Sequence, residues 1–161
     1  MHLLAQEEYG LRCLVQLARH RGSSPLTILE IAAAEGLSPE YTAKLMRALR
    51  QGGLVMSTRG AAGGYRLARP AEEVTAWEVL EKLGGSMFPD GFCESHPGSL
   101  RDCVHSTACS IRSLWRSAEG ALRGVLEHVT VAELARAGQA TAVWVSPPGE
   151  AETDPARTSG T

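Results

Sequence analysis

The sequence has little cysteine, four residues in 161, and no run of about 18 apolar residues that could span a membrane as a helix. Its start, Met1-His2-Leu3-Leu4-Ala5-Gln6-Glu7-Glu8, has neither the basic region nor the apolar stretch of a signal peptide. A secreted disulfide scaffold and a helical membrane protein are therefore not expected. The expectation is a soluble cytoplasmic protein of one domain plus an appendage. The chain also lacks a nucleophile, base and orienting group in any recognisable convergence, so an enzyme is not expected. There is no surplus of positive charge either, the formal net being −2.

That small net charge conceals an uneven spread. Residues 1–69 hold nine Lys and Arg against five acids, a net of +4, and residues 70–161 hold seven against thirteen, a net of −6. A basic front half is what a phosphate-binding surface needs.

The front half also has a definite pattern. Leu11, Leu14, Val15 and Ala18 fall at i, i+3, i+4 and i+7, the spacing of one buried helix face between Gln6 and His20. Thr27, with Glu30 three residues on, caps a second helix that Gly36 stops. Ser38-Pro39 opens a third, running through Tyr41, Leu45 and Leu49 to Gln51. Two helices joined by Gly36-Leu37 predict a helix-turn-helix. Leu54–Thr58, the turn Arg59-Gly60-Ala61-Ala62-Gly63-Gly64 and Tyr65–Ala68 predict a hairpin directly after it.

On the third helix Glu40, Lys44, Arg47 and Gln51 share the face opposite Tyr41, Leu45 and Leu49. A DNA-recognition helix needs this division, with N-terminal residues at base edges and basic side chains on phosphates. Arg59 at a glycine turn suits a narrow minor groove. The plainer alternative is a solvated helix face. Helix-turn-helix, hairpin and charge asymmetry together favour binding to double-stranded DNA.

The second half is read as a fourth helix from Thr75 to Leu83, a cysteine loop, and a long helix opened by Cys109. Ile111, Leu114, Trp115, Ala118, Leu122, Val125 and Val129 give that helix one apolar stripe for nearly five turns. Thr130 caps a last helix to Ala137, and the tail from Ser146 is too polar to fold alone. The expected division is a winged helix-turn-helix over 1–70, a cysteine loop with dimerization helices over 71–138, and a flexible tail over 139–161. The fold class is mainly α, with a two-stranded wing and a long C-terminal dimerization helix.

Three of the four cysteines, Cys93, Cys103 and Cys109, crowd into the loop with spacing Cys-x9-Cys-x5-Cys. In a reducing compartment such a cluster points to metal or redox chemistry. The spacing is looser than that of zinc knuckles, whereas larger iron-sulfur clusters tolerate it. Cys109 at a helix N-terminus would place free N–H groups against an anionic centre. Three thiolates leave a fourth position, for which His96 and His105 are the first candidates. Cys13, beside Tyr9 and Leu17 on the first helix, is read as a packing residue, and Trp77, Trp115 and Trp144 as core or interface residues.

Ser38-Pro39-Glu40-Tyr41, Leu54-Val55, Arg59-Gly60-Ala61-Ala62-Gly63-Gly64-Tyr65 and the cysteine loop together resemble the Rrf-two family of winged-helix regulators, over about residues 1–137. The resemblance, to members such as IscR, NsrR and RirA, implies a homodimeric transcription regulator, usually a repressor. It implies an iron-sulfur cluster, 2Fe-2S or 4Fe-4S, near the dimerization helix. By motif position it puts Ser38, Tyr41 and Lys44 at the major groove and Arg59 and Gly60 at the minor groove. Arg112 stands where IscR-type relatives carry a ligand histidine. NsrR-type relatives take a carboxylate from the first helix of the other subunit, which matches Glu8. Helical position alone leaves Glu7 and Glu8 open, and helix-dipole stabilisation accounts for both.

The leading expectation is a cytoplasmic DNA-binding repressor sensing iron-sulfur, iron, redox or nitric oxide status through a cluster on Cys93, Cys103, Cys109 and Glu8. One alternative keeps the fold and uses the cysteines as a thiol switch or zinc site. Others are an iron-sulfur electron carrier and a helical scaffold, neither of which accounts for the basic helix and hairpin.

Overall fold

The computed structural model describes residues 5–60, 63–86, 89, 91–96, 103, 105 and 109–137. Trp144 and the tail expected over 139–161 lie outside them. In order the elements are α1 (Ala5–Arg19), α2 (Ile28–Glu35), α3 (Pro39–Gln51), β1 (Val55–Thr58), β2 (Gly64–Leu67), α4 (Ala76–Gly84), the one-turn α5 (Phe92–Ser95), α6 (Ser110–Leu126) and α7 (Val131–Ala137). A short 3-10 turn, Ala71–Glu73, precedes α4.

Side-chain caps fix where the helices start. Thr27 accepts from the Glu30 amide at 3.3 Å, and Glu30 accepts in return from the Thr27 amide at 2.8 Å. These bonds hold the Glu30 carboxyl below the usual carboxylate range, the backbone donor contributing most. Ser38 caps α3 ahead of Pro39, and Thr75 caps α4 by accepting from the Glu78 amide at 3.2 Å. Thr130 and Glu133 repeat the reciprocal box at α7.

The core gathers Leu14 of α1, Ile31 of α2, Met46 and Leu49 of α3, Val79 of α4 and Val131 of α7 in one buried cluster. Its centre is α1, which packs against α2, α3, α4, α7 and β2. That crowding corrects the expected phase of the helix. Gly10, Cys13, Leu14 and Leu17 are the buried residues, while Leu11, Val15 and Ala18 are only half-buried. Neighbours on several sides turn the innermost arc toward Cys13, Leu14 and Leu17, so Leu11, Val15 and Ala18 end at its flank. Cys13 is a core residue, as its packing role requires.

A second correction concerns Val129. The long helix ends at Leu126, and Val129 is buried in the core instead of extending the stripe. The cause lies in the backbone: Ala76 donates to the Val129 carbonyl at 2.7 Å, and Val131 donates to the Val74 carbonyl at 2.8 Å. These bonds flank a Thr75–Thr130 bridge that ties the start of α4 to the start of α7.

The C-terminal half of α6 leans on α4, with the Arg123 guanidinium 5.8 Å above the ring of half-buried Trp77. Ser86 donates to Glu119 at 2.7 Å nearby. The N-terminal half stands clear, leaving Ile111 and Leu114 each 60% exposed and Trp115 47%. A 17-residue helix is about 25 Å long, so this apolar edge projects well beyond the core.

Candidate DNA interface and cysteine site

The two faces of α3 separate cleanly. Thr42, Leu45, Met46 and Leu49 are buried, whereas Glu40, Lys44, Arg47 and Gln51 are exposed. Ser38 is exposed at the helix start, its hydroxyl accepting from the Tyr41 amide at 3.2 Å. Free N–H groups of the first turn favour a phosphate there. Tyr41 is half-buried, its ring edge-on to Tyr9 with centroids 6.0 Å apart, so packing already engages one side of it. Arg50 donates to the Ser57 hydroxyl at 3.2 Å and roots the hairpin against α3.

The hairpin pairs antiparallel, from Val55 opposite Leu67 to Thr58 opposite Gly64. Arg59 is exposed where the turn begins, and Gly60 has φ +110°, a conformation that side chains resist. Leu26 bridges to Tyr65 and adds a third, one-residue edge to this sheet. The sequence pattern did not announce that edge, because one residue after Pro25 carries no period-2 signal.

The cysteine site lies at the other end of the chain's described part. Cys93 sits on α5, a turn of helix within what the sequence predicts to be loop. Cys109 is the N-cap of α6, its sulfur accepting from the Arg112 amide at 3.4 Å. Cys93, Cys103 and Cys109 are free thiols of intermediate burial. Arg112 is their common neighbour. Nearby Cys93 pushes the Arg112 pKa higher still and contributes most, with Cys109 and Cys103 adding to it. Cys93, Phe92, Arg112 and Arg116 line a cavity of about 190 Å³. The His96 ring stacks on Phe92 at 4.3 Å, and His96 Nδ1 pairs with the Phe92 carbonyl at 2.9 Å. His105 is exposed.

Among the described residues no three Cys, His, Asp or Glu stand together closely enough to hold one metal ion. Glu8 is exposed on α1, where with Arg12, Glu35 and Leu134 it lines a different groove between α1, α2 and α7. Glu7 turns the other way and lies against Gly84 of α4. Sequence position left these two carboxylates equivalent, and packing separates them. Cys13 stands apart, its thiol pushed up to about 12 chiefly by burial, with Glu35 adding and Arg12 opposing. No described helix is long and apolar enough to cross a membrane.

A capped helix-turn-helix with an outward basic face, followed at once by a wing rooted on its second helix, defines a winged-helix DNA-binding regulator. Comparison with known proteins identifies its kind. The Rrf2 family profile, described as iron-dependent transcriptional regulator, matches residues 3–137, and the chain belongs to that family. Protein rrf2 of Nitratidesulfovibrio vulgaris is 35% identical over 136 residues, covering 84% of this chain and 88% of that protein. The structure of CymR, the global cysteine regulator of B. subtilis, superposes with TM-score 0.65 at 31% identity, covering 84% and 97% of the two chains. T. potens IscR superposes with TM-score 0.66 at 28% identity, covering 86% and 88%. The protein is a regulator of transcription and not an enzyme.

Proposed function

We propose that the protein is a cytoplasmic homodimeric repressor whose DNA binding is governed by an iron-sulfur cluster on Cys93, Cys103 and Cys109, with Glu8 of the second subunit as fourth ligand. The observation that carries this reading is three free, part-buried thiols in one segment, Cys93 on α5, Cys103, and Cys109 at the N-cap of α6. Three thiols that do not converge on one point suit a polynuclear centre whose sulfurs sit on different irons better than a single tetrahedral ion. When bound, a cluster supplies a redox- and ligand-sensitive group held by thiolates.

In this reading residues 1–70 read the operator, and residues 71–138 sense and dimerize. Ser38, Tyr41, Lys44 and Arg47 address the major groove and its phosphates, while Arg59 and Gly60 address the minor groove. The exposed edge Ile111-Leu114-Trp115 supports dimerization through α6, since an apolar strip of that size is costly to leave in water. Exposure of Glu8 away from its own cysteines supports a carboxylate delivered to a partner. A carboxylate is a harder ligand than thiolate and the weaker corner of such a site. Its loss would release the partner's winged helix and change the separation of the two recognition helices.

Protein purified without oxygen should be brown, absorb in the visible and carry iron and sulfide at about one cluster per chain. A colourless, zinc-loaded product that binds the operator equally well sinks the proposal. The second reading keeps the same fold and uses the cysteines as a thiol switch or zinc site; the free, part-exposed state of the three loop thiols supports the switch. It predicts disulfides formed with peroxide in iron-free protein, and release of DNA with them.

A further inference from the structure

We infer that Arg12 is a positioning residue for DNA reading: by clamping Glu35 at the end of α2 it fixes the ring of Tyr9, and Tyr9 fixes the side chain of Tyr41 at the start of the recognition helix. This rests on the reading above that puts Tyr41 at the major groove. The Arg12 guanidinium makes two bonds to one residue. Its Nε donates to a Glu35 carboxylate oxygen at 2.9 Å, and a terminal nitrogen donates to the Glu35 carbonyl at 3.2 Å. Glu35 is the last residue of α2, so its carbonyl has no partner within the helix and takes one from α1 instead. The Glu35 side chain is only 11% exposed, which screens the pair less than an open surface contact.

Two bonds leave the guanidinium one orientation, and its carbon stands 5.4 Å from the centre of the Tyr9 ring, one turn back along α1. The Tyr9 ring in turn meets the Tyr41 ring edge-on, with centroids 6.0 Å apart and planes at 87°. Tyr41 lies in the first turn of α3, where Ser38 already holds its amide. Backbone and ring are both anchored before DNA arrives, and a side chain ordered in advance loses little freedom on binding. Without Arg12 that cost returns on contact with base edges. Unrelated DNA, held through its phosphates, does not incur it.

The test uses the full-length chain and a duplex that wild type selects from a random library, set against an unrelated duplex of the same length. Arg12→Gln, Arg12→Lys, Glu35→Ala, Tyr41→Ala and the double variant Arg12→Gln/Tyr41→Ala are compared, with circular dichroism and urea unfolding reporting the folded fraction. Arg12→Gln and Glu35→Ala should each lower the ratio of selected to unrelated affinity about 3–10-fold. They change net charge in opposite directions, so a shared loss is positioning and not charge. Arg12→Lys should restore part of the ratio, keeping the charge without the fork. In the Tyr41→Ala background Arg12→Gln should lower the ratio no further. Equal losses on both duplexes from Arg12→Gln, opposite effects from Glu35→Ala, or an undiminished effect in the Tyr41→Ala background each overturn the proposal. A loss from Tyr41→Ala with none from Arg12→Gln overturns it alone and leaves Tyr41 at the groove. An unchanged ratio in Tyr41→Ala removes Tyr41 from the groove, and the proposal with it.

Discussion

Leu26 and Tyr65 exchange two backbone hydrogen bonds, of 3.0 and 2.7 Å, which fasten the segment before α2 to the second strand of the wing. Gly64 lies beside this pair with no room for a side chain: a Cβ there would stand 2.5 Å from the Leu26 carbonyl oxygen. Backbone cannot yield as a flexible side chain would. Gly64→Ala should therefore break the bridge, cost about 1–3 kcal/mol in urea unfolding and weaken operator binding, while far-ultraviolet circular dichroism keeps its helical shape. Unaltered stability would show that the bridge is dispensable.

Glu7 and Glu8 are neighbours in sequence with different surroundings, and the difference can be measured. Glu7 packs on Gly84, so Glu7→Ala should lower stability by loosening α1 from α4 and leave the visible spectrum alone. Glu8 is exposed, so Glu8→Ala should leave stability within about 0.5 kcal/mol. The same substitution should change the Mössbauer and visible spectra of the loaded dimer. Spectra identical to wild type would remove Glu8 as a ligand.

These residues also mark what the sequence could and could not tell. Helix starts were legible because caps are local: Thr27, Ser38, Thr75 and Thr130 each satisfy amides three residues on, whatever the remaining chain does. The phase of α1 was not, because which side of Leu11 and Val15 is covered depends on α4 and α7, far along the chain. The end of α6 was hidden for the same reason, Val129 being drawn from the stripe by amides near residue 76. At the cysteine site the three thiols were legible from spacing. The bond from the Arg112 amide to the Cys109 sulfur follows from local position, three residues into α6 from its N-cap, as at the other capped helices.

Thr42 presents a stability defect near the start of α3. It is completely buried, and its hydroxyl has no hydrogen-bond partner among the described residues. Burying an unpaired hydroxyl costs free energy that a methyl group of the same shape does not. Thr42→Val keeps the β-branch and nearly the same helix propensity, so it should stabilise the protein by about 1 kcal/mol. The urea midpoint should rise at constant slope, with operator affinity unchanged because the side chain does not reach the surface.

Cys13 gives the alkaline limb of stability. Its thiol is raised from an ordinary value of 9.0 to about 12 in the fold, so above pH 9 the unfolded chain releases a proton that the folded chain keeps. The folded state then binds more protons, and stability falls as pH rises from about 9 toward 12. Below pH 9 this contribution is fully present and flat. Cys13→Ala should remove that alkaline slope, at the cost of a small cavity at lower pH. Maleimide at pH 7 should label unloaded, folded protein at the three loop cysteines and spare Cys13, since only a thiolate reacts. Rapid labelling of Cys13 in folded protein would contradict its burial.

Lys44 and Arg47 occupy the same exposed face of α3 one turn apart, and their positions along the helix predict different losses. Lys44 is nearer the N-terminus, where a recognition helix meets base edges, so Lys44→Ala should weaken the operator more than unrelated DNA, by about 1–3 kcal/mol of discrimination. Arg47 lies deeper along the helix, the place the proposed reading gives to a phosphate contact. Arg47→Ala should weaken operator and unrelated DNA alike, because a phosphate contact carries no sequence information. In a homodimer that substitution removes two such contacts, so the slope of log affinity against log salt should become shallower by about 1.8. Titrations of both variants across a range of salt, on operator and unrelated duplexes, separate the two roles. If both variants lose affinity equally on both duplexes and flatten the salt slope equally, Lys44 belongs on phosphate and base reading falls to Ser38 and the wing.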